Sequence, residues 1–236
     1  MSESPGSGQL PLALRFPSDQ RLDTYVGAQP QALPQLQALA EGAIATCVFI
    51  AGARGSGKSH LALATCAQAQ ATGRAVHYLP LASAAGRMDD ALDALHAFDL
   101  VALDGVHEVA GMREDEIALF DFHNRMQDAG KPILYTARSW ADELPLVLPD
   151  LRSRLAQCTR IALLPLDDDG RAEMLRLRAQ RRGLELDAAA VDWLLRRMDR
   201  DLSSLAALLD RLDRASLAAQ RRITVPFLRQ TLGDAT

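Results

Sequence analysis

From residue 47 onward, short apolar runs alternate with longer stretches of helical spacing. Residues 47–51 (Cys-Val-Phe-Ile-Ala) form a β-branched and aromatic run that predicts a strand buried on both faces. A glycine-rich segment follows, then an Ala/Leu-rich stretch predicting a helix to about Ala71, with Gly73 as its stop. A second strand over 75–79 ends at Pro80. Residues 87–97 have helical spacing, and 100–103 predict a third strand closed by Asp104. Another helix is predicted over 113–129, stopped by Gly130. Strands at 133–136 and 159–164, with a short Leu-rich helical piece between them, bring the count to five. Strands separated by helices of this length belong to an α/β fold, a parallel sheet covered on both faces.

The alternation stops at Pro165. Beyond it the pattern is helical only: 167–182, closed by Gly183; 187–198; 202–219; and a last helix starting near Thr224-Val225-Pro226. A proline in the first turn is a usual helix start. At the other end, residues 2–8 are Ser, Gly, Pro and Glu, which reads as a flexible tail. The chain therefore divides into a tail (1–15), an α/β domain (16–165) and a small all-α domain (166–236).

Composition narrows the function classes. The chain is 48% apolar and 24% charged, as folded globular proteins are. No apolar run approaches the roughly 20 residues of a membrane span, and no basic-then-apolar leader opens the sequence. The three cysteines (Cys47, Cys66, Cys158) lack metal spacing, so the expected setting is the reducing cytoplasm, away from any membrane. The net charge is −4, and residues 166–236 carry 13 arginines against 12 acidic residues. Neither part is a basic module that grips nucleic acid directly. Lys58 and Lys131 are the only lysines beside 24 arginines. A lysine kept in such a background marks a site that needs a compact ammonium.

Lys58 lies in such a site. Gly52-Ala53-Arg54-Gly55-Ser56-Gly57-Lys58-Ser59 matches G-x-x-x-x-G-K-[ST] in full, between a predicted strand and a predicted helix. Glycines let consecutive N–H groups turn inward around a polyphosphate, and the helix adds its positive N-terminal end. Lys58 meets the outer phosphates and the Ser59 hydroxyl ligates magnesium. An aspartate at a strand end is by itself more often a turn-former, but downstream of a full phosphate loop Asp104 is expected to be the carboxylate that holds the magnesium through water. The expected ligands are ADP or ATP with Mg2+, on Gly52, Gly55, Ser56, Gly57, Lys58, Ser59 and Asp104.

With those motifs read, further segments bring a resemblance. Gly57-Lys58-Ser59-His60, Asp104-Gly105-Val106-His107-Glu108-Val109-Ala110-Gly111, Phe120-Asp121-Phe122-His123-Asn124 and Ser153-Arg154-Leu155 resemble the AAA+ module of the DnaA family. Within it the chain is most similar to the shorter Hda-type regulators. It shares with them Gln9-Leu10-Pro11-Leu12-Ala13-Leu14, Asp199-Arg200-Asp201-Leu202, Leu212-Asp213-Arg214-Ala215-Ser216 and Ala219-Gln220-Arg221-Arg222-Ile223-Thr224-Val225-Pro226-Phe227. The resemblance spans about residues 9–232. It implies an ASCE-type AAA+ P-loop fold, a five-stranded parallel sheet with a helical lid. It also implies a role for Arg154 as the arginine that reaches a neighbour's nucleotide, and for Arg200 as the lid arginine that contacts the chain's own. Gln9, Leu10, Leu12 and Leu14 would bind the sliding clamp. DNA would be met only through that clamp, and a homo-oligomer is left open.

Two departures bear on hydrolysis. Gly105 stands where the DnaA family has a second acidic residue, and Arg138 where Thr136 is normally followed two residues on by aspartate. Both imply slow intrinsic hydrolysis. The family's helix-turn-helix domain is expected to be absent. Three functions compete. The first is a clamp-tethered regulator that makes DnaA hydrolyse its ATP. The second is a DnaA-like helicase loader, which typically carries a helicase-binding N-terminal extension. The third is a small-molecule kinase, for which no substrate lid or catalytic carboxylate is identifiable. A cell-lysate pull-down with and without residues 9–14 separates the first two.

Overall fold

The computed structural model describes residues 21–25, 31–197, 212 and 223–232. Five parallel strands, β1 (Val48–Gly52), β2 (Val76–Pro80), β3 (Leu100–Asp104), β4 (Ile133–Ala137) and β5 (Thr159–Leu163), lie in the order β2-β3-β4-β1-β5. Their residues alternate between two cores. Val48, Ile50, Leu100, Ala102, Leu134, Ile161 and Leu163 face one side, where α1 (Ala32–Glu41) and α2 (Lys58–Ala71) cover them. Phe49, Val101, Leu103, Ile133 and Tyr135 face the other, under α3 (Met88–Asp93), α4 (Arg113–Asp128) and α5 (Pro149–Ala156). Each large side chain buried this way contributes about 1.5–3 kcal/mol. A central strand with both faces covered cannot show polar alternation, which is why β1, β3 and β4 are near-continuous apolar runs, while the outer strands β2 and β5 admit His77 and Arg160.

A third core holds the C-terminal helices α6 (Asp168–Arg181), α7 (Ala188–Arg197) and the last described helix, Val225–Leu232. Asp167 caps α6, its carboxylate accepting from the Gly170 amide at 2.8 Å. The helix expected over 202–219 lies outside the described residues.

Two expectations change in detail. The stretch 87–97 is a short α3 followed by a 3-10 turn, Ala94–Ala97, which tightens the chain just before β3. Helix α1 was not anticipated, because Pro34 interrupts its pattern. Proline is nevertheless tolerated in a first turn, and Leu36, Leu39 and Ala40 form a fully buried face.

His123 on α4 is buried, with Nδ1 3.0 Å from the Tyr135 hydroxyl. Burial first, and the Arg154 charge second, pull its pKa down to about 4. The unfolded chain, with histidine near 6.5, therefore takes up the proton first. Stability is full above about pH 6.5 and declines as pH falls towards 4, by at most about 3 kcal/mol. Denaturant titrations across that window should show the decline, and His123→Leu should flatten it.

Candidate functional site

The phosphate-loop residues come together at the C-terminal ends of β1, β3 and β4. Gly52 closes β1, and Lys58 opens α2 after a turn through Gly57. Gly57 has a φ of +91°, and a Cβ there would lie 2.5 Å from the Tyr25 ring. Glycine is thus needed both for the left-handed turn and to let Tyr25 close on the loop. The Tyr25 hydroxyl donates to the Ser56 carbonyl at 2.5 Å, and burial pushes its pKa up to about 12. Lys58 donates to the carbonyls of Gly52 and Ala53, both at 2.7 Å. Burial lowers its pKa, opposed by Asp104 and reinforced by Arg138.

Asp104 is the centre of the polar cluster. Ser59 donates to its Oδ2 at 2.7 Å and Tyr78, from β2, to the same oxygen at 2.6 Å. Thr136, from β4, donates to Oδ1. The two residues expected to hold magnesium are therefore in direct contact. A hydroxyl and a carboxylate are hard oxygen donors that suit Mg2+ completed by phosphates and water. Among the described residues no group of three or more His, Cys, Asp or Glu gathers, so an all-protein metal cage is absent there.

Gly105, next along, has a φ of +94°, and its amide donates to Thr136 Oγ1 at 3.0 Å. A β-carbon there would meet Glu108 Cγ at 3.3 Å. The position is thus shaped for a sharp exit from β3. Glu108 ends a 3-10 turn, Val106–Glu108, with Arg138 3.1 Å and His107 3.0 Å away on the same oxygen. Arg138 adds positive charge beside the loop, as its position implied, and Glu108 offsets part of it. Burial and Arg138 hold His107 below its ordinary pKa.

His60, directly after Ser59, joins the loop to the helical domain. Its Nδ1 lies 3.2 Å from Arg178 on α6 and its Nε2 3.3 Å from the Arg21 carbonyl. Arg154 sits on α5, and among the described residues its guanidinium makes no hydrogen bond or ion pair. Arg152 is already engaged, donating to the Leu146 carbonyl. Gln9, Leu10, Leu12, Leu14 and Arg200 lie outside the described residues. The sequence reading missed Tyr25 and Tyr78, whose only local signal was a tyrosine near a strand end or an N-terminal turn.

Tyr78→Phe removes one of two donors to Asp104 Oδ2. Loss of a partner that orients a metal-side carboxylate typically costs 10–100-fold in metal affinity. Calorimetry should show nucleotide binding that needs roughly tenfold more magnesium, with magnesium-free binding unchanged. An unaltered magnesium requirement would make Tyr78 a packing residue only.

Residues 168–232 match the family described as the lid domain of Hda. The fold is shared with domain III of the Thermotoga maritima replication initiation protein DnaA, at TM-score 0.75 and 18% identity, over 93% of this chain and 98% of that one. It is shared with replication initiator DnaA bound to AMPPCP and single-stranded DNA, at 0.70 and 21%, over 87% and 69%. The Thermotoga maritima RuvB Holliday junction branch migration motor is more distant, at 0.63 and 18%, over 90% and 71%. The α/β domain has the AAA+ fold. Among the described residues no helix is long and apolar enough to cross a membrane.

Proposed function

We propose that this chain, an Hda-type member of the DnaA-related AAA+ proteins, regulates replication initiation by making DnaA hydrolyse its ATP. The Hda-type lid and the DnaA-like fold support a DnaA-related replication regulator. The observation that carries the finer reading is Arg154, a guanidinium uncommitted among the described residues, on a helix beside the sheet's second core. An arginine supplied to a neighbour's ATP neutralises charge developing on the transferred phosphate.

In this reading ADP or ATP organises the chain. The amides after Gly52 and the Lys58 ammonium take the phosphates, while Ser59 and Asp104 hold Mg2+, which neutralises phosphate charge when bound. Lys58 must exchange two carbonyls for phosphate oxygens, a like-for-like trade of charge-assisted bonds. Arg200 contacts the nucleotide from the lid. Gly105 and Arg138 leave the chain's own hydrolysis slow, so the chemistry happens on the partner.

Gln9, Leu10, Leu12 and Leu14 tether the protein to the sliding clamp. A proline within such a sequence disfavours a helix, and a peptide bound in extended form can lay its leucines in an apolar pocket. Purified clamp should capture the chain, and replacing Leu12 and Leu14 by alanine should abolish capture at unchanged melting temperature. Core leucines cost about 2–5 kcal/mol each when truncated. A large drop in melting temperature with clamp affinity intact would instead bury those leucines in the protein itself.

A further inference from the structure

Glu116 is a fully buried carboxylate in the first turn of α4, in a run of three acidic residues whose first, Glu114, is exposed. Its charge is balanced by backbone amides alone among the described residues. Oε1 accepts from Gly111 at 2.7 Å and from Val147 at 3.1 Å. Oε2 accepts from Val147 at 2.9 Å and Leu148 at 2.7 Å. Gly111 ends the loop that leaves Asp104 through Gly105 and the 3-10 turn. Leu148 is the N-cap of α5, which carries Arg154 and has no side-chain cap of its own. One carboxylate therefore fastens the magnesium-side loop and the arginine-bearing helix to α4. Arg152 braces the same segment from the other side through the Leu146 carbonyl.

We propose that Glu116 is the positioning residue for Arg154, fixing where α5 presents the arginine to a neighbour's nucleotide. The inference rests on the reading of Arg154 given above. Three N–H donors, with the Val147 amide shared between both oxygens, define a single geometry for one buried carboxylate, since every amide needs an acceptor and water is excluded. The carboxylate also lies at the start of α5, where negative charge is favoured. A finger works only within a narrow tolerance, and misplacement by about 1 Å costs on the order of 100-fold in rate.

Glu116→Gln keeps the volume but turns one acceptor oxygen into an NH2 group facing an amide N–H. Two measurements decide. In DnaA-ATP turnover with clamp loaded on DNA, the variant should lose roughly tenfold or more of the maximal stimulation. The concentration giving half-maximal stimulation should stay within about twofold, because docking surfaces are untouched. In amide hydrogen exchange, peptides covering 109–112 and 146–156 should exchange faster while α2 keeps its protection. Faster local exchange with full stimulation would overturn the proposal, as would a uniform rise across the chain, which marks a general stabiliser. Should wild type not stimulate at all, the Arg154 reading falls, and unchanged exchange over 146–156 would separately refute the fastening of α5 by Glu116. Glu116→Asp, with the charge kept and the reach shortened, should fall between Gln and wild type, and it decides the matter if the glutamine variant does not fold.

Discussion

Arg154→Ala should bind nucleotide and the sliding clamp as wild type does, and leave the ATP on DnaA unhydrolysed. An arginine finger in trans contributes about 10³–10⁵ in rate, so the loss should approach the basal DnaA rate. Arg154 has no hydrogen bond or ion pair to forfeit among the described residues, so the melting temperature should barely move. Its charge does press on His123, and removing it should let that histidine titrate closer to its ordinary value. Lysine should rescue poorly, because a point charge cannot engage two phosphate oxygens as the planar fork does. The assay is DnaA-ATP turnover with clamp on DNA for wild type, alanine and lysine. Full activity of the alanine variant would remove Arg154 from the mechanism, and Arg152 could not simply replace it, being tied to Leu146.

Lys58→Ala should lose nucleotide affinity about 100-fold or more. A charge-assisted hydrogen bond contributes about 1.5–3 kcal/mol, and the ammonium serves more than one phosphate oxygen. The variant also leaves the carbonyls of Gly52 and Ala53 without their donor, which should lower stability by about 1–3 kcal/mol. Calorimetric titration well below the melting temperature separates the two effects. Equal affinity of variant and wild type would defeat the phosphate-loop assignment.

What could be read from the chain follows from how local each signal is. The phosphate loop is covalently contiguous, so its glycines and Lys58-Ser59 were legible as a pattern. The five strands were legible because each is a short, largely apolar run with a Gly, Pro or Asp close by. Strand neighbours are not written in any run. β2 lies beside β3, with Pro80 opposite Asp104, and only that adjacency brings Tyr78 to the Asp104 carboxylate. Glu116 was illegible for a different reason. Within Glu114-Asp115-Glu116 it has the composition of a solvated helix start, yet Asp115 and Glu116 are both buried, each accepting from backbone amides of distant segments. Pro34 masked α1, since a proline reads as a break until its place in the first turn is known.

The strand order has a consequence for how the molecule behaves among copies of itself. β2 and β5 are the outer strands, and an outer strand is a template on which a foreign strand can grow. Both are blunted. β2 finishes on Pro80, which has no N–H to offer a newcomer. On β5 the exposed Arg160 lays its guanidinium over Trp140 at 4.3 Å and binds Asp142 at 2.8 Å, so a charge stands on the open rim. Growth by strand addition is thereby disfavoured at either margin, and association is left to helices and loops, whose contacts are more readily made and released.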